Sequence, residues 1–178
     1  MTESSPAGLI ADTSPLLFFH RSGAMDLLGA VSSNRLAEGD RSSGSVWVPQ
    51  AVHTEIAEGE RSGYDMPDLG ALPWVGTGPA PAAPPSEWLA LDLGPGELAA
   101  MSLALEHTER AVLLDDRLAR RVAKAAGLTV WGTLGVLLEA KRGGHVERIA
   151  PVVDRMDEAG MWLSDEVRER ILRLADEA

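Results

Sequence analysis

Residues Ala111 to Gly144 read AVLLDDRLARRVAKAAGLTVWGTLGVLLEAKRGG, and their pattern decides the fold class. Ala111 to Leu114 is an uncharged apolar run of strand length that stops at Asp115 and Asp116. A helix is expected next, from Arg117 to Ala126, closed by Gly127, since glycine commonly follows a helix end. Leu128 to Trp131 reads as a second short strand. Gly132 and Thr133 then start a helix that stops at the Gly143-Gly144 pair. Strand, helix, strand, helix in this order indicates an α/β domain.

Toward the N-terminus the alternation recurs. Leu9, Ile10 and Ala11 form a short buried strand ending at Asp12, and Ser14-Pro15 reads as a helix start because proline is tolerated in the first helical turn. Helices are expected to about His20 and over Ala24 to Val31, then a polar loop from Ser32 to Ser45. Val46 to Val48 is the next strand, and Pro49 opens a helix through about Glu58. Residues 59–86 carry the weakest pattern. Leu72 to Val75 is an edge-strand candidate, while GTGPAPAAPPS at 76–86 holds four prolines and reads as a stiff surface connection. A helix is expected from Pro95 to Glu109. Two more, at 149–159 and 165–176, form a C-terminal extension, the second with Ser164 as its N-cap.

The chain has 178 residues, 45% hydrophobic and 24% charged, which is the composition of one globular domain over 1–178. A formal charge of −11 excludes a simple basic clamp on nucleic acid, because phosphate binding by counterion release needs surplus Lys and Arg. Contact through metal ions held by carboxylates remains open. With 0 cysteines there is no disulfide, thiolate zinc site or Cys nucleophile. No basic leader precedes an apolar segment, and no run approaches the roughly 20 residues of a membrane span. The expectation is a soluble cytoplasmic protein that does not enter membranes. Phosphate-loop, serine-hydrolase and zinc-protease motifs are missing. His20, His53, His107 and His145 lack ligand spacing and read as packing or surface residues.

Four acidic positions stand out by where they fall. Asp12 ends the first strand, and Asp115, with Asp116 beside it, ends the Ala111–Leu114 strand. Ligands of open α/β sheets bind outside the carboxyl ends of strands, so these ends are candidate neighbours. Glu55 lies mid-helix beside Val52 and Ile56, and Glu97 lies in the first turn of its helix. Taken singly, each has an ordinary reading as a turn residue, a cap, a dipole-favoured acid or a solvated one. Carboxylates drawn together without Lys or Arg repel unless a cation neutralises them, and hard oxygen ligands select Mg²⁺ or Mn²⁺.

In order, LIADTSPLL, VPQAVHTEIAEG, LDLGPGELAAMSLALE and the Val112–Gly144 stretch resemble the PIN-domain nucleases. The likeness is nearest to short stand-alone bacterial members related to VapC-type toxins of toxin–antitoxin pairs. It runs from Leu9 to Leu174, with 59–86 not matching. The resemblance implies a three-layer α/β/α sandwich with a central parallel sheet. It also implies a metal-dependent ribonuclease that acts as the toxin of a toxin–antitoxin pair: Asp12 matches the first metal-binding aspartate and Glu55 the helix glutamate. Glu97 stands where many members have aspartate, and Asp115 matches the acid after the fourth strand, with Asp116 as helper. Ser14 takes the small polar position after Asp12, or merely caps the helix before Pro15. Thr133 orients water at the site or caps its helix, and the cap is the favoured reading.

Phosphodiester hydrolysis needs an activated water and neutralised phosphate oxygens, which two divalent ions about 4 Å apart supply. The expected ligands are Asp12, Glu97 and Asp115, with Glu55 and Asp116 acting through water or a second ion. Arg117, Arg120, Arg121 and Lys124 fall at i, i+3, i+4 and i+7 and form a helical stripe for the RNA backbone, or else a solvated face. Lys141, Arg142 and Arg148 are a second basic group. Trp47 and Trp131 read as core, and Trp74 and Trp88 as a substrate rim or dimer contact. Apolar Leu16, Phe19, Leu27 and Leu28 suggest a homodimer. The toxin likeness implies a small antitoxin whose Arg or Lys pairs with Glu55 or Asp115. The alternative is a catalytically weak PIN-like module that binds RNA or protein.

Overall fold

The computed structural model of the protein describes residues 6–33 and 44–178. Five short strands, β1 (Leu9–Ala11), β2 (Val46–Val48), β3 (Val75–Thr77), β4 (Ala111–Leu113) and β5 (Val130–Trp131), form one sheet in the order β3-β2-β1-β4-β5. Every pairing is parallel, with Ile10 opposite Trp47 on one side and Val112 on the other. Among the described residues, eight α-helices surround it: α1 (Thr13–Arg21), α2 (Met25–Ser33), α3 (Gln50–Arg61), α4 (Pro95–Glu106), α5 (Arg117–Ala125), α6 (Thr133–Arg142), α7 (Ala150–Glu158) and α8 (Asp165–Leu174).

Strand residues alternate between two cores, as the twofold period of a strand requires. Leu9, Ala11, Leu113 and Val48 pack with α1, α2, α3, α6, α7 and α8. Ile10, Val112 and Leu114 pack with Met101 and Leu103 of α4 and Ala119 and Ala123 of α5. Both faces of the sheet are therefore covered, which is why β1 and β4 read as unbroken apolar runs. This is the three-layer α/β/α sandwich expected.

The chain enters at β1 in the middle and winds outward in both directions, so the sheet has a switch point between β1 and β4. Ala11 pairs with Leu113, and the Asp12 amide donates to the Leu113 carbonyl at 3.2 Å. The carboxyl ends of these two strands, with Asp12 and Asp115 just beyond them, are thus neighbours.

Several boundaries differ from expectation. The edge strand is Val75–Thr77, three residues later than the 72–75 segment, so Gly76 and Thr77 belong to the sheet and not to the Pro-rich connection. Gly76, a poor strand former, is accepted there because the edge strand pairs with β2 alone. Helix α4 stops at Glu106 instead of Glu109, where the His107 ring packs edge-on against Trp47 at 4.9 Å and the chain turns into β4. The loop expected over Ser32 to Ser45 lies mostly outside the described residues, and Ser32 and Ser33 end α2.

The two tail helices are built into the first core through Ile149, Val152, Val153, Met156 and Ile171. Glu177 closes this region, its side chain only 3% exposed. It accepts from Lys141 Nζ at 2.6 Å and from the Ile149 and Ala150 amides at 2.7 and 2.9 Å, at the start of α7. Glu177→Gln is expected to lower stability by about 2 kcal/mol, as for charge-assisted hydrogen bonds, and urea unfolding will measure it.

Candidate active site

Asp12 takes the N-cap position of α1, so the helix begins one residue before Ser14. Ser14 is therefore not a cap. Its side chain is exposed and lines a groove beside Asp115. The hydroxyl next to the acids belongs to Thr13, which donates to Glu55 Oε2. Glu55 extends from the middle of α3, and its Oε1 accepts from the Gly96 amide at 2.8 Å. Three carboxylate oxygens enclose the open side of Gly96. A Cβ there would lie 2.6 and 3.0 Å from the two Glu55 oxygens and 2.8 Å from Asp12 Oδ1.

Asp12 is 4% exposed. Burial pushes its carboxyl up to about 7, the charges of Glu97 and Glu55 push the same way, and the Thr13 and Ser14 amides partly offset them. Burial also raises Glu97, with Asp116, Glu55 and Asp92 adding repulsion against the lowering effect of the Gly94 amide. Glu97 reaches back to that amide at 2.8 Å and so secures the first turn of α4. Asp116 caps α5 by accepting from the Ala119 amide at 2.9 Å. The acids Asp12, Glu55, Glu97 and Asp116 thus form one electrostatically coupled set drawn from four segments.

Asp115 is held differently. Its oxygens accept from the Thr133 amide at 3.0 Å and the Thr133 hydroxyl at 2.5 Å. Burial raises its pKa, and the Thr133 bonds and the Arg120 charge pull it back. Thr133 is accordingly a clamp on Asp115, while Gly132 takes the N-cap position, which corrects the favoured reading of Thr133 as a cap. Thr133→Val, which keeps the shape and removes the hydroxyl, is expected to cost 1–2 kcal/mol (roughly one buried hydrogen bond) in a urea melt.

Among the described residues Asp12, Glu55 and Glu97 have no basic partner, and such oxygen donors suit a hard divalent cation. Among the described residues, no three His, Asp or Glu close into a finished metal shell. Each acid beyond Asp12 is instead turned toward a protein donor: Thr13 and Gly96 for Glu55, Gly94 for Glu97, Thr133 for Asp115 and Ala119 for Asp116.

The basic stripe is divided by the fold. Arg120 turns inward and donates to the Leu114 carbonyl at 2.8 Å, whereas Arg117, Arg121 and Lys124 are exposed. Of the second group, Lys141 is committed to Glu177, Arg148 lies 4.0 Å from the same acid, and Arg142 lies 2.7 Å from Glu139. Trp88 is buried at 5% exposure and the Trp74 ring lies against Gly29, so neither forms a rim. Trp47 stacks under Arg110 at 3.6 Å. His20 and His53 hydrogen-bond Asp65 and Thr77, as packing residues do. Sequence reasoning missed Thr13, Gly96 and Trp162. Thr13 and Gly96 stood inside the quoted motifs, but only the fold shows that both converge on Glu55.

A family model described as a PIN domain matches residues 8–177, nearly the whole chain. Searches of curated proteins and of solved structures find no match. No helix among the described residues is long and apolar enough to cross a membrane. With the sheet order, the switch-point acids and this match in agreement, the chain belongs to the PIN-domain family.

Proposed function

We propose that the protein is a metal-dependent ribonuclease that hydrolyses RNA phosphodiester bonds with Mg²⁺ or Mn²⁺ at the acidic cluster. Its fold is that of the PIN nucleases, which in general bind nucleic acid and use divalent metals. The observation that carries the reading is the cradle at Gly96, where Asp12 and Glu55 direct three oxygens at one point. Asp12, Glu55 and Glu97 would hold the cation, with Asp115 and Asp116 at the rim. A bound divalent ion supplies a Lewis acid that lowers the pKa of the attacking water and neutralises phosphate charge. The chain's own residues set the geometry: Thr13 and Gly96 orient Glu55, Thr133 and Arg120 orient Asp115, and Arg117 offers a cation to the phosphate backbone.

Control by a small antitoxin belongs to the same proposal. A charge of −11 and an acidic mouth favour a basic inhibitor segment that pairs with Glu55 or Asp115. The apolar residues that suggested a homodimer do not support one, because Leu16, Phe19 and Leu28 are each 0% exposed inside the chain. A binding-only module is the weaker reading, since Asp12, Glu55, Glu97, Asp115 and Asp116 are all present as oxygen donors.

The test compares labelled single-stranded RNA, duplex RNA and single-stranded DNA, each with purified protein in Mn²⁺ or in EDTA. Cleavage of RNA only in Mn²⁺ is expected. Cleavage that persists in EDTA, or no cleavage of any strand in Mn²⁺, overturns the reading.

A further inference from the structure

A groove of about 1120 Å³ starts at Ser14, Asp115 and Asp116 and runs between α6 and α8 to Trp162. It exceeds the roughly 300–1,000 Å³ of a small-molecule pocket, so it has room for more than one nucleotide-sized unit. Trp162 is 83% exposed, the most exposed of the large apolar side chains. Its outward pose follows from its neighbours. After α7 the chain is extended, with Met161 buried at 7% and Leu163 packed against the same core, so the residue between them must face away. The Met161 amide also donates to the Met156 carbonyl at 2.9 Å, which ties the segment to the end of α7. The backbone beneath the indole is therefore anchored, and the ring itself is open to a ligand.

We propose that this groove carries a flank of single-stranded RNA and that Trp162 is a platform on which one base stacks. The inference rests on the nuclease reading and extends it away from the cleavage point. Three observations select nucleic acid as the occupant. The groove is continuous with the acids at which a phosphodiester would be cut. Its walls hold Arg117 and Arg170, neither of which forms an ion pair among the described residues, and these cations complement a phosphate backbone. An exposed indole on an anchored backbone offers a π-face that any base accepts, which suits a strand bound with little sequence preference. The lining sets Arg117, Arg120, Arg142 and Arg170 against Asp115, Asp116, Glu139 and Glu166, so the groove is charge-balanced where the chain as a whole carries −11.

Binding of a fluorescein-labelled oligouridylate tests this by anisotropy in EDTA, where the metal-dependent reading expects no cleavage. Trp162→Ala is expected to weaken binding about tenfold, as loss of one base–aromatic stack does, and Trp162→Phe to restore most of it. Arg170→Gln is expected to reduce the slope of log affinity against log salt by about 1. Equal affinity for wild type and Trp162→Ala, with unchanged melting temperatures, overturns the stacking site. Weakening by Trp162→Ala that Trp162→Phe does not restore also overturns it. If the wild-type protein binds no oligouridylate yet still cleaves RNA in Mn²⁺, this inference fails and the ribonuclease reading stands; if it neither binds oligouridylate nor cleaves RNA, both fail.

Discussion

In EDTA, raising the pH from about 5 to about 8 is expected to cost the protein roughly 2–3 kcal/mol of stability, and Asp12→Asn to remove most of that loss. Burial raises the folded-state pKa of Asp12 from 3.8 to about 7. A raised folded pKa means that the native state binds the proton more tightly than the unfolded chain. The associated stability is complete below the unfolded value and disappears as pH climbs through about 7. Glu97 and Asp115 are raised too and act in the same direction. Glu177 acts the other way: burial would raise it, but Lys141 and the Ile149 and Ala150 amides win and lower it. Its contribution is present above its unfolded pKa and is lost as pH falls through the folded one. Maximum stability of the metal-free protein should therefore lie on the mildly acidic side. For a chain of this size the Asp12 effect corresponds to about 5–10 °C in melting temperature. Millimolar Mn²⁺ should restore the loss in wild type and not in Asp12→Asn. A flat profile from pH 5 to 8 in EDTA would show that Asp12 is not a buried, uncompensated acid.

The second large effect concerns Gly96. Ala at this position places a methyl 2.6 Å from Glu55 Oε2 and 2.8 Å from Asp12 Oδ1, closer than real Cβ contacts come. The carboxylates must move aside, out of the point they share. Gly96 lies in the first turn of α4, where Ala is a better helix former than Gly by up to about 1 kcal/mol. Gly96→Ala is therefore expected to leave the melting temperature in EDTA unchanged or slightly higher. Its RNA cleavage in Mn²⁺ should fall on the order of 10²-fold, the scale of a misplaced catalytic constellation. Loss of fold together with activity would make Gly96 a structural residue only, and full activity would place the reaction elsewhere.

The fold was legible where burial on both faces leaves unbroken apolar runs. Leu9–Ala11 and Ala111–Leu113 sit in the middle of the sheet, and their sequences carry that directly. The edge strand was shifted because β3 has one neighbour and little packing, so Gly76 and Thr77 show no strand pattern. Among the acids, position at a strand end was readable, but orientation was not. Thr13 touches Glu55 across 42 residues of chain, and Thr133 touches Asp115 across 18, so no local spacing reports either bond. The Arg117–Lys124 stripe was correctly periodic, yet Arg120 is drawn inward by the Leu114 carbonyl, a partner that a helical wheel does not contain. Trp162 was passed over because a lone aromatic between two helices has no periodic context, and only its exposure distinguishes it.

The proposed site requires Asp12, Glu55 and Glu97 to hold a divalent cation together. Calorimetric titration of the metal-free protein with Mn²⁺ at about pH 7.5 tests it most directly, with Asp12→Asn and Glu97→Gln titrated in parallel. Saturable uptake by the wild type is expected, with proton release as Asp12 ionises, and uptake that is abolished or strongly weakened in both variants. No saturable uptake by the wild type, or equal uptake by all three proteins, would contradict it.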